Sequence, residues 1–197
     1  MFRERHRQAV ASARPLINVE PMAPSYGIFI LCELVGEARA RVREIQQQFD
    51  PKLARLTPPH LTLVGSSGLG PVPGDTPVER LREALEPIAR TTAPMSLAFD
   101  RPHRFMQTEI VSLPLDPHGP LRALHERIAK CGLRFMPARF LFTPHVTLSF
   151  YPTLTLRRER ELLSIRVEEP CIVERMQVYL TRDPQPSVKL LELELSG

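Results

Sequence analysis

The chain has no tryptophan, three cysteines and nine glycines in 197 residues, and each scarcity removes a class of protein. Cys32, Cys131 and Cys171 are odd in number, far apart and without metal-type spacing, so neither a disulfide framework nor a zinc finger is encoded. They fit a reducing interior, and the cytoplasm is the expected location. No apolar run approaches the ~20 residues of a membrane-spanning helix, so no membrane partner is expected. The glycines provide no Gly-Lys-Ser/Thr ending of a P-loop, and no nucleophile elbow presents a serine. Charge of one sign is scarce too. The 26 basic and 22 acidic residues leave a net charge of +4, a mild preference for anionic partners that does not encode a nucleic-acid surface by itself. With 43% apolar residues, a chain of this length can bury a core as one domain or two tightly joined lobes.

What is present is present twice. Thr57-Pro58-Pro59-His60-Leu61-Thr62-Leu63-Val64 and Thr143-Pro144-His145-Val146-Thr147-Leu148-Ser149-Phe150 both contain Pro-His-x-Thr-Leu. A strand alternates its side chains between faces, so each copy should present a histidine and a threonine on one side and aliphatic residues on the other. Pro59 and Pro144 fix the approach and place the start of each strand.

The flanking segments repeat as well. Met1 to Pro24, with Arg3, Arg5, Arg7 and Arg14, is expected to be an extension outside the fold. A targeting peptide fits it poorly, because Glu4 interrupts the basic run and Ala9 to Ala13 is weakly apolar. Residues 25–197 are then expected to form one bilobal domain. Tyr26 to Cys32 is a buried-strand pattern. Ala38, Val42, Ile45 and Phe49 follow at helical spacing, ended by Asp50-Pro51 with a loop beyond. Gly65 to Gly74 is expected to be a plain turn. Thr76-Pro77-Val78-Glu79 predicts a capped helix start, with Val78, Leu81, Leu85 and Ile88 inward. Strands are expected over Met95 to Phe99, Glu109 to Leu115, Ile172 to Leu180 and Val188 to Leu195. Asp100 to Thr108 reads as a polar connection, and helices are expected from Gly119-Pro120 and over Leu156 to Ile165. Strand, helix, His-x-Thr strand, helix, strand thus describes residues 26–99 and again 109–180. Nearly the same interval separates Tyr26 from His60 and Ile110 from His145. Two related lobes about a pseudo-twofold axis would bring both motifs to a central cleft.

Two histidines and two hydroxyls suit displacement at phosphorus. One imidazole takes the proton of the attacking oxygen and the other protonates the departing one. The threonine hydroxyls can donate hydrogen bonds to the non-bridging oxygens. Such a set needs no metal and no cofactor, and neither is expected, since no third ligand lies at zinc spacing. Opening of a 2',3'-cyclic phosphate fits the set well, because a ribose oxygen is the leaving group. His60, Thr62, His145 and Thr147 are the candidate catalytic residues. Arg104, Phe105 and Arg139 are candidate substrate contacts, and His103 is a further one because arginines flank its loop. His6, His118 and His125 are read as structural or surface residues. A nucleotide or RNA-end binding module without turnover is the alternative from another class. An interaction protein using residues 1–24 is a third.

These paired motifs and the duplicated order resemble the two-histidine (2H) phosphoesterase superfamily, in particular its 2'-5' RNA ligase and RNA 2',3'-cyclic phosphodiesterase group. The likeness spans Tyr26 to Leu195. It implies an α+β fold in which two pseudo-symmetric lobes, each with an antiparallel sheet, flank a central cleft with helices outside. It also implies metal-independent cleavage of 2',3'-cyclic phosphates or 2',5' linkages of RNA ends or nucleotides, with ligation as the reverse reaction. By analogy His145 is the base and His60 the acid. A monomer is expected. Bacterial members acting on RNA cyclic phosphates commonly carry an arginine just after the second His-x-Thr-Leu. Here Ser149 and Phe150 follow, which favours a broader branch of the family over an RNA-end specialist.

Overall fold

The structure is a computed structural model that describes residues 26–65, 67–106, 108–138, 140–151, 154–182 and 185–197. The expected extension and Arg139 therefore lie outside the described residues. Nine strands and five helices are described. Seven strands form one antiparallel sheet. In chain order they are β1 (Tyr26–Glu33), β2 (His60–Val64), β4 (His103–Arg104), β5 (Val111–Pro114), β6 (His145–Ser149), β8 (Arg175–Arg182) and β9 (Gln185–Glu194). In space they run β4-β5-β6-β2-β1-β8-β9. β3 (Met95–Leu97) and β7 (Cys171–Val173) pair separately as a short ribbon.

The α+β architecture is the expected one, and its duplication is visible in the strand order. β1 and β2 on one side of the centre mirror β5 and β6 on the other. The two antiparallel sheets are halves of a continuous sheet, because β2 and β6 are hydrogen-bonded neighbours with Leu61 opposite Val146. The third strands of the two repeats, β3 and β7, meet each other through Ser96 and Ile172.

Alternation sorts each strand between a core face and an open face. Ile28, Ile30 and Cys32 of β1, Leu61 and Leu63 of β2, and Val146 and Leu148 of β6 are buried in a single apolar cluster. Helices α1 (Gly36–Phe49), α3 (Val78–Arg90) and α4 (Pro120–Ala129) supply Val42, Ile45, Leu81, Leu85, Leu121 and Leu124 to the same cluster. Fully burying one such side chain stabilises the fold by about 1.5–3 kcal/mol. The core thus lies on the helical side, and Phe29, Leu31, Glu33, His60, Thr62, His145 and Thr147 are left partly exposed on the other.

Several elements depart from the sequence expectation for local reasons. Asp50-Pro51 ends α1, but a second helix, α2 (Pro51–Leu56), follows at once. The Asp50 carboxylate accepts from Leu53 N at 3.0 Å, and Pro51 occupies the first turn, where its missing N–H costs nothing. Helix α3 starts at Val78 with Pro77 at the cap position and no side-chain cap, so the capping box expected of Thr76 and Glu79 does not form. The strand expected over Ile172 to Leu180 divides at Glu174, because β7 pairs with β3 while β8 joins the large sheet. The polar connection after β3 contains β4, which pairs with β5 through His103 and Ser112. Helix α5 (Leu156–Ser164) is present, with Thr155 accepting from Arg158 N at its start.

Candidate active site

Both motifs occupy the open face of the two central strands. Leu61 opposite Val146 sets an antiparallel register, and one step either side of it His60 lies across from Thr147 and Thr62 across from His145. In a regular ladder such partners have Cβ atoms about 5 Å apart. The four side chains therefore form a quadrilateral with the histidines on one diagonal.

Each imidazole is oriented by its own chain. His60 Nδ1 lies 2.7 Å from the carbonyl oxygen of Pro58, and His145 Nδ1 lies 2.7 Å from that of Thr143. A carbonyl only accepts, so Nδ1 carries the hydrogen in both rings, and Nε2 is free to exchange a proton with a substrate. The proline before each histidine shapes the turn that makes this contact.

The strands behind the quadrilateral are fixed from the helical side. Gln46 of α1 is 2% exposed and donates from Nε2 to the carbonyl of Thr147 at 2.8 Å. The other oxygen of the buried Asp50 accepts from Phe150 N at 2.8 Å and Tyr151 N at 2.9 Å, holding the end of β6. His125 of α4 donates from Nδ1 to the carbonyl of Leu63 at 2.8 Å and stacks on Phe142 with ring centres 3.7 Å apart. It braces β2 from the core, in line with its reading as structural. Gly68 turns beneath it with φ of 70°, where an added Cβ would strike the His125 ring.

The surroundings of the two histidines differ. Burial lowers the pKa of His60, opposed by the Pro58 carbonyl and by the negative charge of Glu33. Glu33 is the registered partner of His60 across β1 and β2. Burial also lowers His145, opposed by the Thr143 carbonyl and reinforced by the positive charge of His60 and of His103. The residue across from His145 in β5 is Pro114. On that side Phe105 packs edge-on against both His145, at 4.9 Å between ring centres, and His103, at 5.0 Å. The pairs His103–Ser112 and Ser112–Thr147 run in one row across β4, β5 and β6.

The candidate substrate contacts are thus divided. Phe105 and His103 stand beside His145. Arg104 follows His103 on the opposite strand face, pairs with Glu159 of α5 at 3.2 Å and lines a hollow of about 120 Å³ with Glu109, Leu154 and Leu156. Ser149 is fully buried, and its hydroxyl has no hydrogen-bond partner among the described residues.

Glu33, Tyr179 and Lys189 were not singled out from sequence. Alternation along Phe29, Leu31 and Glu33 puts Glu33 on the same strand face as Phe29 and Leu31, but only the register places it opposite His60. Among the described residues no group of three histidine, cysteine or carboxylate side chains is placed to hold a metal ion. No helix among them is long and apolar enough to cross a membrane.

A family model described as the 2'-5' RNA ligase superfamily matches residues 34–183. Among solved structures, E. coli LigT complexed with 3'-AMP is 19% identical with a TM-score of 0.58, over 89% of this chain and 100% of that one. TT0787 of Thermus thermophilus is 23% identical with a TM-score of 0.62, over 86% of this chain and 98% of that one. At such identities the likeness establishes the fold. No curated protein sequence matches the chain.

Proposed function

Because the chain belongs to the 2'-5' RNA ligase superfamily of 2H phosphoesterases, we propose that it is a metal-independent phosphodiesterase that opens 2',3'-cyclic phosphates or cleaves 2',5' linkages of RNA ends or nucleotides. The observation that carries the reading is the matched orientation of His60 and His145, each with Nδ1–H held by a backbone carbonyl. In the forward reaction His145 Nε2 takes a proton from water as its oxygen bonds to phosphorus. The bond from phosphorus to one ribose oxygen breaks, and that oxygen takes the proton of His60 Nε2. Thr62 and Thr147 donate to the non-bridging oxygens, whose charge grows in the transition state. Solvent then restores both proton positions. Supplying a 5'-hydroxyl in place of water runs the same chemistry toward a 2',5' linkage.

The assignment of His145 as base and His60 as acid is supported by their neighbours. A carboxylate beside His60 favours its protonated form, and the positive charges beside His145 disfavour protonation there. Phe105, against His145, is suited to a nucleobase face. The same reading extends to a monomer working in the cytoplasm. E. coli LigT has been crystallised with 3'-AMP and with ATP, which supports a nucleotide-sized ligand here.

The test is turnover in EDTA of 2',3'-cyclic nucleotides, a short RNA with a 2',3'-cyclic end and a 2',5'-linked dinucleotide. Wild type should turn over at least one of them, while His60→Ala and His145→Ala lose turnover and keep much of the ligand affinity. Affinity without turnover in a folded wild type would make the protein a binding module instead.

A further inference from the structure

The two halves of the site are alike in backbone and unlike in charge, and the difference is concentrated behind His60. Glu33 ends β1 directly across from His60. Its own backbone N–H donates to Gln177 Oε1 of β8 at 3.0 Å, and the Tyr179 hydroxyl of the same strand donates to its carboxylate. Lys189 of β9, registered with Tyr179, brings Nζ to 3.8 Å from Glu33 Oε1. It also donates to Glu192 at 2.8 Å, so its single charge is shared between two carboxylates. The side chain of Glu33 is 16% exposed and that of Lys189 42%, so solvent screens the carboxylate less than the ammonium group. The equivalent place across from His145 holds Pro114, which has neither charge nor donor.

Resting on the two-histidine reading of the site, we propose that Glu33 is a positioning residue that reserves His60 for proton donation, with Tyr179 and Lys189 holding its carboxylate against the strand. A pseudo-symmetric pair of histidines could otherwise work in either direction, and a partly buried carboxylate on one side alone breaks that symmetry. The charged and titratable groups around His60 come from four strands: Glu33 from β1, His145 from β6, Tyr179 from β8, and Lys189 and Glu192 from β9. Of these, Glu33 is the group whose negative charge lifts the pKa of His60 against the effect of burial. Tyr179 stays protonated as a donor, since burial and the hydrogen bond to Glu33 push it up to about 12. Lys189 stays charged, raised chiefly by its bond to Glu192. It opposes Glu33 in part, which gives the network a lever of each sign.

Removing either lever should move His60 in opposite directions. Glu33→Gln keeps shape and removes negative charge, so the His60 ring should titrate at lower pH than in wild type. Lys189→Met removes the positive charge beside the carboxylate, so His60 should titrate at higher pH. The side chain of Lys189 is 42% exposed, so this variant tests the idea if Glu33→Gln fails to fold. Ring-proton NMR of the full chain follows both histidines without any substrate, and His145, reached through the charge of His60, should move less than His60 in both variants. Once a substrate is in hand, the alkaline limb of kcat/KM should move with His60. Glu33→Gln should then lose about three- to tenfold on that side while the acidic limb stays put.

Equal shifts of both histidines, or no shift of His60 in either variant, would overturn the proposal. Opposite shifts of His60 in a protein that turns over none of the phosphodiesters would uphold the role of Glu33 and sink the substrate reading instead.

Discussion

Leu61 of β2 is the registered partner of Val146 of β6, and both are fully buried on the face behind the histidines. The pair ties one half of the duplicated sheet to the other and sets the spacing of the motifs above it. Leu61→Ala should destabilise the fold by about 2–5 kcal/mol, and Val146→Ala by less, because fewer buried atoms are lost. Side chains directly opposite on one face share their packing, so the two losses should couple by about 0.5 kcal/mol or more. Denaturant unfolding of the two single variants and the double variant measures this. Strict additivity would show that the halves are held together elsewhere.

Arg104 and Phe105 are adjacent in sequence and separate in space. Phe105 touches His145, whereas Arg104 is turned toward α5 and paired with Glu159. Phe105→Ala should therefore lower kcat/KM by about tenfold or more, through loss of a stacking surface and looser placement of His145. Arg104→Ala should change it by no more than about twofold, since an exposed ion pair contributes little. Parallel kinetics on one substrate decide the matter. A larger loss at Arg104 would mean that this side chain leaves Glu159 to reach the substrate.

Burial lowers both candidate catalytic histidines from the ordinary value of 6.5. The kcat/KM profile of an acid–base pair is bell-shaped and reports the free enzyme, with its maximum midway between the two pKa values. With both below the ordinary value, the maximum should lie on the acid side of pH 6.5. A maximum near or above neutrality would show that other groups govern the reaction.

The core of this site was legible in the residues. Pro-His-x-Thr-Leu occurring twice, in matching contexts, located the two central strands and their faces, because a period of two needs no tertiary information to assign. The duplication also anticipated related halves. Contacts that depend on register were not legible. Nothing in the sequence says that Glu33 rather than Leu31 faces His60, or that Tyr179 and Lys189 converge on it from strands far along the chain. Arg104, a candidate substrate contact, pairs with Glu159 of α5, a contact that the sequence pattern does not announce. Asp50 read as a helix stop, and its clasp on Phe150 and Tyr151 depends on a tertiary contact 100 residues away in sequence.

His125 links acidity to stability through the core. Burial lowers its pKa, outweighing the Leu63 carbonyl that favours the charged ring, while Arg122 adds to the lowering. His60 and His145 are lowered as well. In each case the unfolded chain binds a proton more readily than the folded one. Their contribution is therefore fully present above the unfolded value and is lost as pH falls toward the folded pKa values. Unfolding midpoints in urea should decline as pH drops from about 7 to about 5, the range in which histidine titrates. His125→Gln removes one of the three groups and should flatten that decline, even though loss of the stack on Phe142 lowers the midpoint at neutral pH. A decline of unchanged steepness in this variant would place the acid sensitivity in groups other than His125.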